Sequence, residues 1–310
     1  MTDINDVFNT IDALIADGDL TQKAISREIG ISDATLSELR KGRYKGDSDG
    51  MHDKLIAWHR TWLKSQELPD VPQVVETRTF RDLYELFDSV RIFRCISVLV
   101  GVPGVGKTVA AREYARQEPN TWMVTLSPAH SSVTECLLEL ADALGLDNPG
   151  KTKGALTRSI RKKLNNARGL VIVDEADHLS VDGLEQLRAI QDATSVGMVL
   201  IGNPRQLANA TRRGTDDMAR LFSRFARTKQ LRKSKKADVE AIARAWGIRG
   251  EDELAVMQRI AEKPGALRVL THTLNYARTM ANGAGVSLNK DHIKTAFKEV
   301  FSNPKLLNWL

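Results

Sequence analysis

The feature that most constrains this chain is a short apolar run, Cys95-Ile96-Ser97-Val98-Leu99-Val100, that feeds directly into Gly101-Val102-Pro103-Gly104-Val105-Gly106-Lys107-Thr108. A helical pattern opens at Val109 and runs to Gln117. The spacing G-x-x-x-x-G-K-[ST] between a strand and a helix is that of a phosphate-cradling loop. Glycines let the backbone curl so that successive N–H groups point inward at phosphate oxygens, and the N-terminus of the following helix adds partial positive charge. Lys107 is placed to reach the β- and γ-phosphates and Thr108 to offer its hydroxyl to Mg²⁺, so the expected ligand is ATP with Mg²⁺. Gly101 to Val109 form the expected nucleotide-binding set.

A second carboxylate-bearing signature lies about seventy residues later. The apolar strand Leu170-Val171-Ile172-Val173 ends in Asp174-Glu175, placing Asp174 on the metal with Thr108 and Glu175 on the attacking water. The letters Asp174-Glu175-Ala176-Asp177 also spell a helicase box, but the chain lacks a second recombinase-like domain and the other helicase motifs. Asn203 ends the next strand, where a polar side chain meets the γ-phosphate or the water. Arg220 and Arg224 stand one helical turn apart, suited to completing a neighbouring subunit's site, and Arg268 begins a helix after Pro264-Gly265.

Strands at 95–100, 122–126, 170–173 and 198–201 alternate with amphipathic helices at 79–90, 107–117, 131–144, 154–167 and 181–193, which predicts a parallel sheet covered on both faces. Beyond Ala226 only helices are expected. Upstream, residues 4–16 carry a helical apolar stripe. Two short helices then meet at Gly30-Ile31-Ser32, with Ala24 and Ile29 inward on the first, Leu36 and Leu39 inward on the second, and Ser32 as N-cap. This pattern is similar to a phage-repressor helix-turn-helix, and Thr35, Arg40 and Arg43 then fall where DNA contacts would lie; a protein-contact module is the other reading. Lys64 to Arg78 reads as a linker, and Val74 to Thr77 as an extended piece in the position that covers adenine in related nucleotide folds.

Composition sets the remaining bounds. At 310 residues, 42% hydrophobic and 27% charged, the chain is of globular type, and no apolar run approaches the ~18 residues of a membrane span. The two cysteines, Cys95 and Cys136, read as buried thiols of a cytoplasmic protein. Residues 1–68 hold 9 basic and 12 acidic residues, so the balance of +6 overall places +9 on the remainder. Residues 151–168 carry seven Lys/Arg and no acid. Lys151, Lys153, Arg158 and Arg161, with Lys233, Lys235 and Lys236 further on, are the expected contacts to duplex phosphates. Aromatic residues are not interleaved with these charges, which argues against base stacking on single strands.

From residue 74 to about 280, this set of motifs resembles an AAA+ ATPase. In that resemblance Asn203 and Arg268 are the two sensors and Arg220 or Arg224 the arginine finger. The segments FSRFA, KKADV and KPGALR narrow the likeness to the ATPases that serve phage DNA transposition. The resemblance implies an ATPase stimulated by DNA and transposase, forming a helical filament on largely nonspecific, A·T-biased duplex DNA and delivering that target to a transposase in the host cytoplasm. The expected fold is an α/β P-loop core at 67–228, after an all-α helix-turn-helix domain at 1–66 and before a helical lid at 229–310 with a DNA-binding role. A helicase loader and a transcriptional regulator with a P-loop signalling module are the rival readings.

Overall fold

The computed structural model describes residues 3–18, 20–66, 72, 74–203 and 227–301. Its contacts divide the chain into two compact units, Met1–Asp70 and Val71–Leu310.

The first unit holds four helices: α1 (Ile4–Ala16), α2 (Gln22–Ile29), α3 (Asp33–Arg40) and α4 (Ser48–Gln66). Their boundaries follow from local capping. The Thr21 hydroxyl accepts from Ala24 N–H at 3.2 Å, and the Ser32 hydroxyl accepts from Thr35 N–H at 3.0 Å. Gly30 closes α2 at φ 76°, a left-handed position where a glycine carries no Cβ penalty. The core is Val7, Ile11, Ile25, Ile29, Leu36, Leu39, Leu55 and Trp58. One sequence expectation shifts here: Ile25, not Ala24, pairs with Ile29 inside, because the larger side chain gains more from burial. Across the unit, the Trp58 indole donates to Glu28 at 3.0 Å.

The second unit is built on five parallel strands in the order β2-β3-β4-β1-β5: β1 (Ile96–Gly101), β2 (Thr121–Thr125), β3 (Leu170–Asp174), β4 (Gly197–Gly202) and β5 (Arg227–Leu231). β1, β3 and β4 are buried along their whole length, as expected of a sheet covered on both faces. The pleat then sorts residues between two cores. Ile96, Val98, Val100, Val171, Val173, Met198 and Leu200 face α7 (Val133–Ala143), α8 (Lys153–Leu164) and α9 (Val181–Thr194). Leu99, Leu170, Ile172, Val199 and Ile201 face α5 (Arg78–Phe93) and α6 (Lys107–Gln117). The expectation that strands end before Ala226 is corrected by β5. Its sequence, RTKQL, lacks an apolar run because among the described strands it pairs with β1 alone and exposes Thr228 and Gln230; of its described side chains Leu231 is the buried one.

Four further helices follow: α10 (Lys236–Ala245), α11 (Glu251–Ala261), α12 (Ala266–Gly283) and α13 (Lys290–Val300), around Ile242, Trp246, Met257, Leu270, Leu274 and Phe297. This group is tied to the sheet layer by a buried carboxylate. Asp238, fully inaccessible, accepts Thr79 N–H at 2.8 Å, the Thr79 hydroxyl at 2.7 Å and Lys235 N–H at 2.9 Å. The same group thus caps α10 and fixes the start of α5.

Candidate nucleotide site

The loop after β1 does what its glycines require. Gly104 and Gly106 take φ values of 81° and 96°, which L side chains rarely adopt. A Cβ on Gly104 would also run into the Gly265 carbonyl oxygen at the head of α12. α6 begins at Lys107 behind a glycine cap with no side chain to occupy its first amides, so those N–H groups point into the loop. Arg268 N–H donates to Gly104 O at 3.3 Å, which joins the head of α12 to the phosphate loop.

Lys107 Nζ donates to Gly101 O at 2.7 Å and Val102 O at 3.2 Å. Burial holds its ammonium below the usual lysine range, partly offset by the carboxylates of Asp174, Glu175 and Asp177. Asp174 is buried at the end of β3; its Oδ1 accepts Glu175 N–H at 3.0 Å, whereas its Oδ2 is buried without a partner. An orphaned carboxylate oxygen aimed into a cleft beside Thr108 is the donor chemistry that a hard divalent cation takes. Glu175 sits in the left-handed region at φ 56°, directing its side chain out of the strand line. Desolvation, then Asp174 and Asp177, push its carboxyl above the usual range. Asp177 Oδ1 in turn accepts Asn203 N–H at 3.1 Å, holding the end of β4 against the end of β3.

The phosphate loop, Lys107, Thr108, Asp174, Glu175 and Asn203 line one cleft of about 250 Å³ together with Val75, Thr77, Phe80, Ile242, Leu267 and Arg268. The polar half is made of the phosphate loop and the ends of β3 and β4. The apolar half is made of the segment before α5 and of the C-terminal helices, a fitting seat for a purine. The cleft thus brings together Gly101, Pro103 to Val109, Asp174, Glu175, Asn203 and Arg268, all expected from sequence, and Val102 supplies a loop carbonyl. Phe80, Ile242 and Leu267 were not foreseen; a helix's inward apolar residue gives no local sign that it faces a ligand. Asp177 and Asp238 likewise look like ordinary helix-start acids.

Two comparisons of sequence address what this cleft belongs to. Residues 94–210 match the AAA domain model, and residues 223–300 match the model of the C-terminal part of the Mu B transposition protein. The chain is 43% identical over 298 residues to the ATP-dependent target DNA activator B of Escherichia phage Mu, covering 96% of each. The chain belongs to the target DNA activator B family. A second member, the FluMu prophage DNA transposition protein B of Haemophilus influenzae, is 38% identical over 272 residues, covering 86% of this chain and 94% of that protein. The nucleotide cleft is accordingly that of an AAA-type ATPase. Among solved structures, the Aeropyrum pernix ORC2 protein aligns with a TM-score of 0.56 at 15% identity over 78% of this chain and 72% of that one. Domain III of Thermotoga maritima DnaA aligns at 0.50, with 15% identity over 76% and 95% of the two chains. Those two likenesses concern the fold alone.

The expected DNA contacts fall into distinct settings. Lys151 and Lys153 are exposed where α8 begins, and Arg158 and Arg161 are exposed along it; α8's 12 residues span about 18 Å, so the basic tract is spread over two ends of the core. Lys233 and Lys236 are exposed, but Lys235 Nζ pairs with Asp82 at 2.5 Å, and Lys229 Nζ donates to Asp82 O at 2.7 Å. Burial alone would raise the Asp82 carboxyl; Lys235, Lys229 and Arg78 outweigh it and hold it below the usual range. In the first unit, Arg43 is exposed, Arg40 binds Gln22 and Asp12, and the Thr35 hydroxyl meets Ser32 at 2.8 Å. Arg220 and Arg224 lie outside the described residues, as does the segment from Ser302. No described helix is long and apolar enough to cross a membrane.

Proposed function

We propose that this chain is an ATP-operated DNA clamp for transposition, whose nucleotide state sets its grip on target duplex. The observation that carries the reading is the cleft itself: one wall is the phosphate loop and the other is the helix group that follows β5, so a bound nucleotide would touch both. Lys107 would exchange its loop carbonyls for β- and γ-phosphate oxygens. Thr108 and the unpartnered Asp174 Oδ2 would hold Mg²⁺, which neutralises phosphate charge when bound. Glu175 would orient and deprotonate the attacking water, Asn203 would fix that water or the γ-phosphate, and Arg268 would sense the γ-phosphate from α12. Arg220 or Arg224 would complete the site of a neighbouring subunit in a homo-oligomeric helical filament.

Exposed Lys151, Lys153, Arg158, Arg161, Lys233 and Lys236 would track phosphates of largely nonspecific, A·T-favoured duplex. Lys235 and Arg40 are engaged within the chain and contribute less. Residues 1–66 would act as a helix-turn-helix, with Thr35 and Arg43 facing DNA, and residues 229–310 as the lid. The relatives named as target DNA activators support delivery of the bound target to a transposase, and a host-cytoplasm setting follows from that role. Binding to random duplexes of several lengths, across a salt series with ATP, ADP or no nucleotide, tests the reading. Tight, length-dependent, salt-sensitive binding only with ATP is expected. Binding indifferent to nucleotide, or confined to one operator, would replace it with the regulator reading.

A further inference from the structure

The edge of the sheet opposite the nucleotide cleft is formed by loops stitched to one another. Leu170 N–H donates to Asn120 O at 3.0 Å, Gly197 N–H to Gly169 O at 3.1 Å, and Met198 N–H to Cys95 O at 2.9 Å. The Arg91 guanidinium reaches Pro119 O at 2.9 Å, Arg168 O at 3.4 Å and Glu118 at 3.1 Å, and the Gln191 amide donates to Arg94 O at 2.8 Å. These bonds fix the end of α5 as part of a rigid platform.

On that platform stand Ile92 and Phe93, 72% and 75% exposed, the two most exposed large apolar side chains among the described residues. Phe80, Leu83, Leu86, Phe87 and Val90 form α5's buried stripe, whereas Ile92 and Phe93 lie off that stripe and stay exposed. The surroundings are basic. Arg94 and Arg168 are exposed, both in left-handed backbone positions, and form no ion pair among the described residues. α8 runs back toward the same edge, since β3 starts there, and carries Lys162 and Lys163 in its last turn. Of the acids nearby, Glu118 is paired with Arg91, Asp88 accepts the Tyr114 hydroxyl at 2.7 Å, and Asp192 is paired with Arg188. Exposed apolar side chains beside two arginines that form no ion pair among the described residues are the arrangement of a peptide-binding hot spot.

We propose that this face docks an acidic peptide segment of another protein, one that presents bulky apolar side chains to Ile92 and Phe93 and carboxylates to Arg94, Arg168 and the end of α8. Duplex backbone is the poorer fit, because phosphate contacts need charge and have no use for exposed apolar side chains. The fit is also separate in place from Lys151 and Lys153, at the other end of α8.

The test uses the full chain with a non-hydrolysable ATP analogue. The probe is a fluorescent Glu-rich peptide of about four helical turns with Leu and Phe at i, i+3, i+4 and i+7. A control peptide has the same composition with its apolar residues dispersed. Saturable binding of the first peptide is expected, weakened at least about tenfold by I92S/F93S and by R94E/R168E. ATP-analogue and DNA affinity should stay unchanged in both variants, which reports that they are folded. Equal binding of the control peptide, or unchanged peptide affinity in the variants, overturns the proposal. So does a loss of DNA affinity in I92S/F93S, which would make the face a nucleic-acid contact, or a loss of self-association, which would make its occupant a second copy.

Discussion

Removing the Asp238 carboxylate should loosen the joint between the sheet layer and the helices beyond it. Asp238→Ala leaves the Thr79 amide and hydroxyl, both buried, and the Lys235 amide without their acceptor. An orphaned buried donor costs about 1–3 kcal/mol, so a loss of roughly 3–5 kcal/mol follows for the group. For a unit of this size that corresponds to a fall in Tm of about 8–15 °C. Thr79→Val removes the hydroxyl bond alone and should cost about 1–2 kcal/mol. The double variant should then fall short of the sum by about 1 kcal/mol, since both changes touch the same bond. Phe80 and Ile242, which flank this joint and line the cleft, should lose register, so nucleotide affinity should drop together with stability. Calorimetry of the full chain and titration with a fluorescent ATP analogue read both effects. A Tm within about 2 °C of the parent for Asp238→Ala would refute the reasoning.

Other outcomes follow from the same geometry. Glu175→Gln should leave ATP binding intact and slow hydrolysis by about 10²–10⁴ fold, measured by phosphate release. Because the folded-state carboxyl of Glu175 is raised, the protein favours its protonated form, so ionisation of Glu175 weighs against folding as pH rises above the unfolded value. Glu175→Gln should therefore be as stable as the parent or slightly more so at neutral pH, and the parent's hydrolysis rate should fall off on the acid side earlier than an ordinary glutamate would dictate. Gly104→Ala should abolish nucleotide binding, since its methyl meets Gly265 and its φ of 81° is unfavourable to alanine; near-parental affinity in a filter-binding assay would count against the contact. Cys136 is buried and its thiol is pushed up to about 12 by burial, so it should resist alkylation at pH 8 until the chain unfolds, as mass spectrometry of iodoacetamide-treated protein would show.

The phosphate loop and the end of β3 were legible because their chemistry is local: glycines at fixed offsets, a lysine, and carboxylates directly after an apolar strand. The central strands were legible because burial on both faces leaves an unbroken apolar run. β5 was not, because an edge strand whose described side chains bury only Leu231 reads like a basic loop. The apolar wall of the cleft was also hidden, since Phe80, Ile242 and Leu267 share the helical spacing of any core residue. The basic tract 151–168 was visible as charge, yet sequence could not show that α8 splits it between the cleft end and the opposite edge. Asp238 illustrates the same limit: its partner, Thr79, is 159 residues away.

The most direct measurement is the lifetime of the chain on a long random duplex after loading with ATP, for the parent and for Glu175→Gln. The account predicts that the parent leaves the duplex as its ATP is hydrolysed, while Glu175→Gln stays bound until nucleotide itself dissociates. Equal lifetimes for the two proteins would contradict the claim that hydrolysis in this cleft governs the hold on DNA.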